Sequence, residues 1–126
     1  MSAHPTAVWI DHHEARIFRV QGGRFDESMI GAPQRVHRHP KDRAAEHSHP
    51  DGAHRFHSDV ARALEGDEPI LIVGPSTAKL HFLRHLHKHE HTLEPKVAGI
   101  ETVDDPTDRQ IVDYVRRYFG IADRLA

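Results

Sequence analysis

PILIVGPSTAKLHFLRHL, residues 69–86, is the stretch whose reading decides the fold. It opens on a short, unbroken apolar run that ends in glycine, the pattern of a central strand covered on both faces. Ser76 or Thr77 can then cap a helix, and from there the apolar positions take a spacing of three and four. Phe82, Leu83 and Leu86 are expected to face inward and Lys79, Arg84 and Lys88 outward. A strand running straight into an amphipathic helix is the first half of a crossover unit, which sets the following strand parallel to the first. Residues 97–103, VAGIETV, supply that strand.

Downstream, Asp105 as N-cap, Pro106 at the first helical position and Asp108 in the first turn predict a last helix with the stripe Ile111, Val112, Val115, Tyr118 and Phe119. Upstream, Phe56, Val60, Ala63 and Leu64 recur at helical spacing and predict a helix ending near Gly66. Residues 7–11 (AVWID) and 15–20 (ARIFRV) read as a hairpin about His12, His13 and Glu14, and a turn at Gln21, Gly22 and Gly23 leads into a polar third strand over residues 24–30. The resulting order is β-β-β-α-β-α-β-α. It predicts a three-layer α/β fold with a mixed five-stranded sheet, strand order 3-2-1-4-5, and about three helices, built as one domain over residues 1–126.

Composition narrows the function classes. The chain has 126 residues, a formal net charge of -2 with histidine neutral, and no cysteine, so disulfides and thiolate metal sites are excluded and the fold rests on packing. No apolar run approaches the ~20 residues of a membrane helix, and the first residues lack a basic start, so a cytoplasmic protein without membrane contact is expected. The charge is not that of a general nucleic-acid binder, yet it depends on fourteen histidines that titrate near neutrality.

Eleven of these fourteen lie in two groups: His37, His39, His47, His49, His54 and His57, and then His81, His85, His87, His89 and His91. The first group falls in or just after a long loop over residues 32–54, rich in proline, charge and histidine and without apolar period, where function is best sought. Two readings compete for these residues. Arg35, Arg38, Lys41, Arg43, Arg55, Arg84 and Lys88 form a candidate RNA-contacting set, because arginine, lysine and protonated histidine bind phosphate. Alternatively His37, His39, His47, His49, His81, His85 and His89 bind a divalent ion, since imidazoles at i, i+4 on a helix can chelate one metal. No His-Glu-x-x-His pattern accompanies them, and the helical pairs are expected on the solvated face. Adventitious zinc or nickel is therefore the expectation, with no required cofactor.

Catalytic signatures are sparse. Asp11 at the end of the first strand, with Glu101 or Asp104 near the last, could serve two-metal hydrolysis, but each acid also has a structural reading in a turn or beside a cap. Gly74-Pro75-Ser76-Thr77-Ala78-Lys79 follows a strand and opens a helix, yet lacks the second glycine and the Lys-Ser/Thr pair of a phosphate loop. No enzyme is expected.

Three segments carry a resemblance: residues 8–18 (VWIDHHEARIF), 70–86 (ILIVGPSTAKLHFLRHL) and 97–119 (VAGIETVDDPTDRQIVDYVRRYF). Together they resemble the small bacterial proteins often labelled translational machinery proteins, which are similar to the middle domain of archaeal and eukaryotic class-one release factors and of Pelota. The resemblance implies a ribonuclease H-like arrangement. It also implies a stand-alone module on the ribosome or ribosomal RNA. In release factors the long loop carries Gly-Gly-Gln; here the one Gly-Gly pair, Gly22-Gly23, follows Gln21 in a hairpin turn, so peptide release is not implied.

Overall fold

The computed structural model describes residues 5–21, 24–32, 51–104 and 106–120. Strands β1 (Thr6–Ile10), β2 (Glu14–Gln21) and β3 (Arg24–Gly31) are followed by helix α1 (Asp51–Ala63), strand β4 (Ile70–Gly74), helix α2 (Ala78–His89), a single 3-10 turn (Glu94–Lys96), strand β5 (Val97–Thr102) and helix α3 (Asp108–Phe119). The sheet order is β3-β2-β1-β4-β5, as the sequence predicts. β1 pairs antiparallel with β2 and parallel with β4, with Val8 opposite both Ile17 and Ile72. β4 in turn pairs parallel with β5.

Every residue of β1 and β4 is buried, so the two central strands carry no solvent-facing side. Their alternate residues feed two separate cores. Val8, Ile10, Ile17, Ile70 and Ile72 pack under α1 and α2 against Phe56, Val60, Leu64, Phe82 and Leu86. On the other face Ala7, Trp9, Phe18, Val20, Leu71 and Val73 pack under Ile111, Val112 and Val115 of α3. Twelve or so fully buried large side chains, at about 1.5–3 kcal/mol each before entropy, make this two-sided burial the main support of the fold. The polar β3 lies at the sheet edge with nearly all its residues exposed, as its composition implies.

Polar contacts fix the helices on the sheet. The Arg16 guanidinium lies 4.4 Å from the Trp9 ring centroid and donates to Asp108 Oδ1 at 2.8 Å, tying the first turn of α3 to β2. Arg19 Nε bonds both oxygens of Asp67, at 3.2 and 3.0 Å, so the chain leaving α1 is held to β2.

Several local expectations are corrected. The N-cap of α3 is Thr107, not Asp105: its hydroxyl accepts from the Gln110 amide, and the Gln110 side chain accepts from the Thr107 amide, a reciprocal capping box. Pro106 therefore precedes the helix instead of opening it. Asp105 itself lies outside the described residues. Thr77 takes the N-cap position of α2 without a side-chain cap bond. Lys79 is buried, not outward: its stem covers apolar surface and its Nζ donates to the Ser76 carbonyl. Tyr118 is 39% exposed: it lies over the edge strand β5, where its hydroxyl occupies the space beside the Cβ-less Gly99 and donates to the Ala98 carbonyl at 3.5 Å.

Candidate functional site

The β1–β2 turn and the helix pair α1–α2 meet on one side of the sheet, and the histidines gather there. Asp11 Oδ1 accepts from the amides of His13 at 2.7 Å and Glu14 at 2.8 Å, which fixes the turn and aims His12 toward α2. His12 and His81 rings stand 5.7 Å apart. With Asp11, Ala32, Phe56 and His57 they line a cleft of about 150 Å³. His57 packs against Phe82, centroid to centroid 5.7 Å, and against His85 at 5.4 Å. Burial holds the His57 imidazole down at about 4, helped by the neighbouring His85, His81, His54 and His12, so it is neutral at physiological pH.

Beside this cleft, three rings converge. His85 lies 5.0 Å from His54 and 4.9 Å from His89, and His54 lies 4.9 Å from His89. One ligand nitrogen from each falls within 4.8 Å of the others. His85 is buried, whereas His54 and His89 are exposed. Burial, then His54 and His89, hold the His85 imidazole below its ordinary value, with Glu90 opposing.

The sequence-predicted metal set is thus partly brought together. His85 and His89 converge; His81 instead faces His12 across the cleft, and His37, His39, His47 and His49 lie outside the described residues. The expectation that the helical pairs face solvent fails at His85, which continues the buried series Ala78, Phe82, His85 at the same three-and-four spacing. The sequence reading missed His54 as a partner. Its signal is weak: His54 and His57 stand at i, i+3 beside Phe56, but only packing shows that this flank meets α2.

Of the candidate RNA-contacting residues, Arg55 is exposed on α1, and Arg84 and Lys88 are exposed one turn apart on α2, so all three occupy the outer surface of the same helical layer. Arg35, Arg38, Lys41 and Arg43 lie outside the described residues. The acids considered for hydrolysis do not share a side of the sheet. Asp11 lines the cleft under α1, whereas Glu101 lies near Tyr114 of α3 and, after burial, helps raise that phenol; Asp104 is exposed beyond β5.

The sequence matches no protein-family model and no curated protein. Solved structures do resemble it. Pelota from Archaeoglobus fulgidus superposes with a TM-score of 0.61 at 16% identity, over 89% of this chain and 30% of that one. Thermoplasma acidophilum Pelota gives 0.60 at 16% identity over 96% and 34%, and the archaeal translation termination factor aRF1 gives 0.60 at 15% identity over 94% and 35%. The chain therefore has the fold of a segment of Pelota and of aRF1, and spans about a third of the length of each. Among the described residues no helix is long and apolar enough to cross a membrane.

Proposed function

We propose that this chain is a non-catalytic, translation-related module of the cytoplasm that associates with the ribosome or ribosomal RNA, akin to the small bacterial translational machinery proteins. The observation that carries the reading is the fold likeness itself: it covers 89–96% of the chain, and one of the proteins concerned is a translation termination factor. Two features of the chain agree with it. Arg55, Arg84 and Lys88 present cations on one exposed helical layer, directly after a segment that holds Arg35, Arg38, Lys41 and Arg43. The sequence also has no Gly-Gly-Gln, and Asp11 is committed to two turn amides, so the reading assigns a binding role in place of peptide release or hydrolysis.

The test is a salt series of binding to purified ribosomes. Replacing Arg55, Arg84 and Lys88 together with alanine is expected to weaken binding and to flatten the log-log salt dependence by roughly 0.7–0.9 for each phosphate that is no longer neutralised. The matching replacement of Arg35, Arg38, Lys41 and Arg43 is expected to act in the same direction. Binding that ignores all seven residues, or that shows no salt dependence, contradicts the reading.

A further inference from the structure

We propose that His54, His85 and His89 form a site for one borderline divalent transition-metal ion, zinc foremost, which fastens α1 to α2. The proposal stands on the geometry of the two helices and is independent of any ribosomal role.

The donor arrangement is specific. His85 and His89 stand at i, i+4 on α2, the spacing at which two imidazoles can grip one ion, and His54 reaches the same point from α1. Tetrahedral zinc with Zn–N bonds of about 2.0–2.1 Å sets its nitrogens about 3.3 Å apart. The three nitrogens already lie within 4.8 Å of one another, so each pair has to close by no more than about 1.5 Å. Rotation of the exposed His54 and His89 side chains can supply that movement, while the buried His85 is the fixed post.

His85 Nε2 is buried and has no hydrogen-bond partner among the described residues. A buried nitrogen left in this way keeps its desolvation penalty until something satisfies it. The nearest carboxylate oxygen, Glu90 Oε2, stands 3.6 Å away, beyond a hydrogen bond but near enough to supply a fourth ligand or to hold a metal-bound water. An all-imidazole set selects ions of the zinc, nickel, copper and cobalt group over magnesium and calcium, which require oxygen ligands. The contrast with His87 is informative. The helix ends at His89, so His91 lies past it and the His87–His91 pair does not share a helical face; the His87 Nδ1 lies 3.0 and 3.2 Å from the two Glu94 oxygens.

The full chain, stripped with chelator and dialysed, is titrated with zinc by calorimetry and with cobalt by visible absorption. One tight equivalent of zinc is expected, above any weaker binding by the other histidines, together with the intense absorption of tetrahedral cobalt and a zinc-dependent rise in melting temperature. His54→Gln and His89→Gln each remove an exposed side chain, so both variants should melt like the parent in EDTA. Each is expected to lose at least about a hundredfold in zinc affinity and to lose the cobalt spectrum. The double variant H87Q/H91Q takes one histidine from the last turn of α2 and one from just beyond it and is expected to keep both. The proposal is overturned if His54→Gln and His89→Gln leave the tight equivalent intact, if H87Q/H91Q abolishes it, or if the parent shows only weak binding of several ions.

Discussion

Gly74→Ala tests the parallel pairing of β1 and β4 on which the architecture depends. Gly74 closes β4 beside the end of β1, and a Cβ there falls well inside contact distance of the Ile10 carbonyl oxygen, with the carbonyl carbon at 3.4 Å. The obstacle is backbone, not the end of a movable side chain, so the two strand ends must part by roughly 1 Å before alanine fits. Both strands are sealed between the two cores, where Ile10 and Ile72 have no exposure, and cannot yield freely. The cost is expected near the top of the usual range for overpacking, about 3 kcal/mol. With an unfolding entropy of about 2.1 cal/mol/K per residue, that lowers the melting temperature by about 11 °C. Gly31→Ala is the matched control: a Cβ at Gly31 meets nothing within 4 Å, and the loss of unfolded-state freedom should make that variant neutral or stabler by up to about 1 kcal/mol. Thermal melts of the two variants in EDTA give the comparison. If they melt within about 2 °C of each other, the close approach of β1 and β4 is wrong, and the placement of α2 after Gly74 falls with it.

Two further outcomes follow from local geometry. Thr107→Ala removes half of the capping box on α3 and should cost about 1 kcal/mol by urea denaturation, with Thr107→Ser restoring most of it; an unchanged midpoint for the alanine variant would show that the cap contributes nothing. The metal-free chain should hold its stability above about pH 6.5 and lose it progressively as the pH falls toward 4, because the unfolded chain accepts a proton at His57 that the fold refuses. His85 contributes with the same sign, Glu90 at the C-cap of α2 opposes it, and Asp11 stands in the same cleft as His57. His57→Leu should flatten this acid limb in urea midpoints taken at pH 7.5, 6 and 5, and an equally steep limb in that variant would assign the titration elsewhere.

The sheet was legible because its signals are local. An unbroken apolar run marked β4 as central, alternation marked β2 as a strand of the hairpin, and the polar RFDESMI marked β3 as an edge. What failed depended on how far an element extends over its neighbours. Lys79 reads as outward by charge, yet its position in the first turn of α2 lets it bend back to the Ser76 carbonyl. Tyr118 belongs to the apolar stripe of α3 by spacing, yet it packs over the edge strand β5 and stays 39% exposed. The histidine site was half legible. His85 and His89 announce themselves by spacing on one helix, whereas His54 sits 31 positions before His85 and joins them only because α1 and α2 pack on the same face of the sheet. Charge gave no clue to His85 being buried, since histidine is neutral above its ordinary titration range and can fall on either face of a helix.

The central claim, association with the translation machinery, is tested most directly by sedimenting cell lysate through a sucrose gradient and probing each fraction for the protein at low and at high salt. The account predicts co-migration with ribosomal particles at low salt, loss to the top of the gradient at high salt, and loss already at low salt for the variant with alanine at Arg35, Arg38, Lys41, Arg43, Arg55, Arg84 and Lys88. Protein confined to the top fractions under every condition would contradict it.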